Sequence, residues 1–340
     1  MSRKQIYRKK WNDKRSRKLR DKWYGREQRC RKRTHIEFGQ VGYYKDRKRY
    51  VAEVPYNFSF LDNPEITIKF FNSLIYAIEK KILRQQFYID AKRTTKVTVE
   101  ALIYIIAVVY NIKANRTLKY SFEGNLPLDK NAREVFEQSG YLNFFKIKKL
   151  VMPESNSYMQ IMSGEVVENE KAKQICDFVN EKLGTKIGFT KPLYAILVEL
   201  MSNTAKHAYN EKKKMIPCWY LYAIFDKDKV KIAFVDTGEG IPNTVKRKFT
   251  ELFFRQPSDS ELIYSAFTEK GRSETKLRNR GHGLPEICRQ VLDRQILDFC
   301  VISGSGSCKY DENKKALERI DFEESTFGTI FSFSIMKGNK

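Results

Sequence analysis

The chain reads as an α/β protein of two domains behind a basic N-terminal tail, and three observations lead there. Its 340 residues, 41% of them hydrophobic, suffice for two ordinary cores. Beyond the tail, short strand-like apolar runs alternate with helical patterns, as expected when helices are layered on sheets. Residues 1–35 break from that composition: sixteen Lys or Arg stand against Asp13, Asp21 and Glu27, a local +13 that leaves +10 of the total +23 for the other 305 residues.

Such a charge density cannot enter a core, and it attracts polyanions through counterion release. Trp11, Trp23, Tyr7 and Tyr24 interleave with the cations and offer stacking on unpaired bases, so nucleic acid, RNA or DNA, is the expected partner of residues 1–35. A solvated tail, or one held on an acidic protein or membrane surface, is the plainer alternative. The longest strongly apolar run, ALIYIIAVVY at 101–110, is shorter than the roughly 20 residues that span a bilayer, so no membrane segment is expected. The opening MSRKQIYRKKW lacks the apolar stretch of a secretory signal, which makes the cytoplasm the expected location. Cys30, Cys176, Cys218, Cys288, Cys300 and Cys308 form no C-x-x-C pair and only three histidines exist. Zinc sites and disulfide frameworks lack support, and reduced structural thiols are expected.

Taken in order, the tail covers 1–45 and a first domain 46–153. A strand at 50–54 leads to Pro55, and Pro64 opens a helix whose Ile66, Ile68, Phe71, Leu74, Ile75, Ile78 and Ile82 make a core face. A buried strand follows at 86–90, a largely buried helix at 97–112 and a strand at 118–122. Asn125, Pro127 and Asp129 mark a loop and cap into a helix at 130–139, stopped by Gly140 and followed by the apolar Tyr141-Leu-Asn-Phe-Phe145. This order, ending in Gly-Tyr-Leu, resembles a STAS-type regulatory domain over about a hundred residues, which implies a protein partner for it. In the anti-anti-sigma branch of that family a phosphorylated serine opens the second helix; Val99 stands at that place here, which argues against such phosphorylation.

Residues 146–153 read as a strand leading out of this domain, and the polar Glu154-Ser-Asn-Ser157 as the linker to a second domain at 158–338. A helix at 170–183 carries Ala172, Ile175, Phe178 and Val179 at helical spacing, with Gly184 as its stop. The organising helix, within 189–210, includes LVELMSNTAKHAYN at 197–210. Glu199 and Asn203 stand four apart there, so a carboxylate and an amide share one face and can converge on a divalent metal or a water. Strands at 218–225 and 230–235, split by Asp226-Lys-Asp-Lys229, suit a hairpin that delivers Asp236. Residues 243–268 are helical and charged. The polar 269–280, with Gly271 and five basic residues, suits a lid. A helix at 283–292 and strands at 296–302, 319–322 and 329–335 finish the sheet.

Four pieces now stand in order: Glu199 and Asn203 on a helix, Asp236-Thr-Gly-Glu-Gly240 after a strand, Gly281-His-Gly-Leu284 before a helix, and Gly328-Thr329 inside a strand. Over 160–336 they resemble the GHKL superfamily of ATP-binding domains found in histidine kinases, gyrase B subunits, MutL proteins and heat-shock chaperones. That resemblance implies a two-layer α/β sandwich of the Bergerat type, in which helices cover one face of a mixed sheet and ATP-Mg²⁺ lies between the helix at 189–210 and the lid. It implies that Asn203 coordinates Mg²⁺, that Glu199 activates the attacking water, and that Lys206, with His207 beside it, meets phosphate. Asp236 would accept the adenine amino group, Gly238 and Gly240 would let the backbone pass the ring, and Thr329 would stand near the adenine. Gly281, His282, Gly283 and Leu284 would hinge the lid and offer amides to phosphate. The bland alternatives are an exposed polar helix face for Glu199 and Asn203, a buried or surface position for His207, and ordinary turns for the glycines.

The departures matter equally. His35, within the basic tail, is the only histidine ahead of this region, which argues against histidine autophosphorylation. No transducer domain or catalytic lysine of the gyrase type is evident after Thr329, so topoisomerase action is not expected. A nucleotide-dependent switch with slow ATP hydrolysis is therefore expected, and a serine/threonine kinase of the anti-sigma-factor type is the alternative. Several GHKL relatives close over ATP as dimers, so a homodimer is a further expectation, although no exchange arm is recognisable.

Overall fold

The computed structural model describes residues 41–44, 49–79, 86–114, 121–144, 157–207, 218–248, 256–268 and 283–337. Residues 1–40 of the expected tail, the expected strand at 146–153, all but Ser157 of the expected linker, and the expected lid at 269–280 lie outside them.

The first sheet has four strands in the order β1-β2-β4-β6. β1 (Val41–Tyr44) pairs antiparallel with β2 (Arg49–Glu53), so sheet structure begins inside the stretch assigned above to the tail. β2, β4 (Gln86–Asp90) and β6 (Ser121–Asn125) run parallel, and parallel neighbours require crossovers. Two helices of sixteen residues provide them: α1 (Pro64–Glu79) and α2 (Val99–Ala114). The second helix starts two residues later than expected because Lys96–Val97 forms a short strand, β5, on β3 (Asn57–Phe58). Likewise the strand expected at 118–122 is β6, shifted toward Asn125. α3 (Lys130–Gln138) is capped as its sequence predicts: the Asp129 carboxylate accepts from the Ala132 amide at 2.9 Å, and Gly140 at φ +79° turns the chain into α4 (Tyr141–Phe144).

The second sheet has seven strands in the order β12-β11-β10-β13-β9-β8-β7. These are β7 (Met162–Gly164), β8 (Trp219–Asp226), β9 (Lys229–Asp236), β10 (Leu297–Ser303), β11 (Gly306–Asp311), β12 (Ala316–Asp321) and β13 (Thr329–Met336). Every pairing is antiparallel, which corrects the mixed sheet expected above. Strand alternation gives the sheet two faces. Trp219, Leu221, Phe234 and Phe331 point to one, where α5 (Asn169–Leu183), α6 (Lys191–His207), α8 (Asp259–Phe267) and α9 (Gly283–Leu292) close a core. α5 ends where the sequence predicts, with Gly184 left-handed at φ +58°.

The other face is not open. Tyr220, Tyr222, Val235, Ile302 and Ile330 share one hydrophobic cluster with α2 of the first domain. All of residues 99–109 are buried, the condition of a helix apolar around its circumference and enclosed on every side. The expectation of helices on one face only is therefore corrected: the first domain supplies the second cover, and the two domains share a core. Each large side chain buried there contributes about 2 kcal/mol from removal of apolar area. Among the described residues no helix is long and apolar enough to cross a membrane, and the five described cysteines are buried and free.

Candidate functional site

β9 delivers Asp236 to its C-terminal end, where the carboxylate accepts the Gly238 amide at 2.7 Å and closes a tight turn. Thr237 fastens that turn to the start of β8. Its hydroxyl accepts the Cys218 amide at 3.0 Å and donates to the Cys218 carbonyl at 3.1 Å, while its own amide also donates to that carbonyl. Gly240 then adopts φ +82°, and a Cβ there would lie 2.7 Å from Ser303 Oγ. The chain enters α7 (Ile241–Lys248), whose first amide donates to the same Ser303 Oγ at 3.0 Å.

Antiparallel register between β9 and β13 sets Thr329 directly opposite Asp236. Just ahead of it Gly328 takes φ +69°, and any Cβ would overlap the Asp236 carbonyl oxygen, so two backbones approach there as only glycine allows. The Ser303 hydroxyl donates to the Gly328 carbonyl at 2.8 Å and lies 3.3 Å from the Thr329 hydroxyl. Burial pushes the Asp236 carboxyl up to about 6, against the opposing pull of the Gly238 amide and of the Thr329 hydroxyl and amide. Its second oxygen can accept a further hydrogen bond.

A second cluster forms where α6 meets α9. Glu199 and Asn203 lie one turn apart and half-buried, and among the described residues no hydrogen bond or ion pair engages either side chain. The first residue of α9, Gly283, is pressed against Glu199: a Cβ at this position would overlap its carboxyl group. Leu284 packs against the helix-layer core. Gly281 and His282 lie outside the described residues, as do the side chains of Lys206 and His207, whose backbones end α6.

The structure thus brings Asp236, Gly238, Gly240 and Thr329 together, and separately Glu199 with Gly283. No hydrogen bond among the described residues joins the two clusters. Among those residues no group of three His, Cys, Asp or Glu side chains is arranged to hold a metal. The unengaged carboxylate and amide of Glu199 and Asn203 do fit a hard cation that keeps most of its water and takes one or two protein oxygens. Three contributors escaped the sequence reading. Thr237 stands inside the quoted glycine box and Ser303 in the strand-ending Ile-Ser-Gly, both as small polar residues beside glycines. Tyr104 lies in the most apolar run of the chain, where a phenol needs a partner. Searched against protein-family models the chain matches none, and no curated protein matches it.

Proposed function

We propose that the second domain is a GHKL-type ATP-binding domain, acting with Mg²⁺ as a nucleotide-dependent switch that hydrolyses ATP slowly. Four motifs far apart in sequence meet pairwise, and the pairing of Asp236 with Thr329 across β9 and β13 is the observation that carries this reading. Asp236 accepts a hydrogen bond from the adenine amino group, and Thr329 steadies that carboxyl group. Gly238 and Gly240 leave room beside the ring, and Gly283 and Leu284 open a helix whose amides face phosphate. Asn203 offers a neutral oxygen to the cation, whose charge offsets that of the phosphates. Glu199, which no hydrogen bond or ion pair engages among the described residues, orients and deprotonates the attacking water.

Titration calorimetry of the whole chain with a non-hydrolysable ATP analogue tests the pocket, and Asp236→Asn is expected to weaken binding at least about 100-fold, since a carboxylate acceptor becomes a mismatched donor. Unchanged affinity removes the assignment. With γ-labelled ATP, free phosphate that disappears in Glu199→Ala is the expected product. Label transferred to a co-purified protein would instead establish a serine/threonine kinase.

A further inference from the structure

Residues 322–328, between β12 and β13, form a strap lying between the domains. Its own domain holds one side: the Phe322 amide donates to the Ser305 carbonyl at 2.7 Å, and the Thr326 amide and hydroxyl both donate to the Gly304 carbonyl, at 2.8 and 3.1 Å. The first domain holds the other. From α1, Asn72 Nδ2 donates to Glu324 at 2.9 Å and Lys69 pairs with Glu323 at 3.4 Å. From α2, Tyr104 makes two bonds to one residue: its hydroxyl donates to the Phe327 carbonyl and accepts the Phe327 amide, both at 3.1 Å. Its ring, 1% exposed, packs on Phe327, Phe60 and Phe71 at centroid distances of 5.0, 5.0 and 4.6 Å.

A phenol suits this place because one oxygen serves as donor and acceptor together, matching both polar groups of a single backbone residue. Phenylalanine would keep the ring contacts and strand both groups. The residue so held is next to Gly328, whose backbone abuts the Asp236 carbonyl, and two before Thr329, which faces the Asp236 side chain. Burial raises the Tyr104 pKa, the Phe327 carbonyl opposes that, and the nearby Asp236 charge adds to it, so the hydroxyl keeps its proton.

We propose that Tyr104 of the first domain is a positioning residue for base recognition in the second: by holding Phe327 it fixes Gly328 and Thr329 against Asp236, and the nucleotide site is complete only while the first domain is docked. This rests on Asp236 being the adenine acceptor. The proposal links docking to base selectivity, and leaves phosphate affinity to α6 and α9.

The test measures binding of ATP, ITP and inorganic tripolyphosphate to the full chain and to Tyr104→Phe. Hypoxanthine carries a carbonyl where adenine carries its amino group and an N1–H where adenine has an acceptor, so the ATP-to-ITP affinity ratio reports on recognition of the base edge that Asp236 faces. In Tyr104→Phe that ratio is expected to fall about tenfold, with tripolyphosphate affinity unchanged. An unchanged ratio in the folded variant overturns the proposal, and so does an equal loss for all three ligands, which would signify general loosening. Should Tyr104→Phe fail to fold, Asn72→Ala, at a half-exposed position of α1 that holds the same strap through Glu324, decides: a fall of about twofold in the ratio supports the proposal and no change overturns it. A wild-type chain that binds tripolyphosphate without preferring ATP over ITP refutes the role given to Asp236, and the proposal falls with it.

Discussion

The two faces of the seven-stranded sheet are both buried, yet they are built differently. On the helix-layer face the polar groups find partners: Asp321 of β12 accepts from the Ser260 amide and hydroxyl of α8 at 3.1 and 3.0 Å, and the indole donor, Trp219 Nε1, reaches the Val166 carbonyl at 2.8 Å. On the face toward the first domain, Tyr220 and Tyr222 bring buried hydroxyls, and among the described residues the Tyr222 hydroxyl and one carboxyl oxygen of Glu100 from α2 have no hydrogen-bond partner. An orphaned buried polar group costs about 1–3 kcal/mol. Amphipathic side chains at a boundary are at ease when the boundary opens and water arrives. The first face is thus a permanent core. The second keeps buried polar atoms that offset part of what its apolar area contributes.

That contrast is open to measurement. The largest effect belongs to the permanent core: Trp219→Ala removes a side chain stacked with Phe234 at 6.3 Å and is expected to cost about 3–5 kcal/mol in chemical denaturation. A loss below 1 kcal/mol would erase the distinction between the faces. Next comes Glu100, 2% exposed, whose carboxyl is pushed by burial up to about 7 from 4.5, helped by Asp62 and opposed by Thr98, its own backbone amide and Lys231. Because the folded pKa lies above the unfolded one, this group's contribution is most favourable below pH about 4.5 and is lost as pH rises through about 7. Glu100→Gln keeps the shape and removes the titration, so the stability gap between variant and wild type should widen by up to about 3 kcal/mol from pH 4.5 to pH 8. A gap constant with pH would mean the folded carboxyl titrates like a free one. The smallest effect is Tyr222→Phe, which deletes an unpaired hydroxyl and should stabilise by about 1 kcal/mol. A loss of that size in thermal melts would reveal a partner for the phenol.

Local chemistry made much of this legible before any coordinates. Gly184, Gly140 and Asp129 end or cap helices because their side chains, or lack of one, act within a few residues. The hairpin of β8 and β9 was readable from two apolar runs split by charged residues, although its turn places Lys227 at φ +61° where a glycine would be more usual. What the sequence concealed is long-range. Strand direction within the second sheet depends on β13 pairing with β9 and β10, at separations that no periodicity encodes. The polar, alternating β11 and the three-residue β7 carry too little apolar signal to stand out. The all-round hydrophobicity of 101–109 announced a helix enclosed on every side, but the strand residues that enclose it look like any two-faced strand. Of the site, Asp236 and the glycines were visible as punctuation. Their meeting with Thr329 was implied only by resemblance, and Ser303 and Tyr104 act through backbone groups that the sequence does not display.

The position of β13 bears on how the chain is made. It is later in sequence than every other strand of its sheet, yet it lies between β10 and β9, near the middle. During synthesis β7 to β9 and β10 to β12 therefore emerge as two meanders, with bare edges on β9 and β10, waiting for a segment still inside the ribosome. Non-local pairings of this kind are slow to form. Until β13 arrives the second domain has neither a continuous sheet nor Thr329 opposite Asp236, so its core and its candidate site are completed by the same late event.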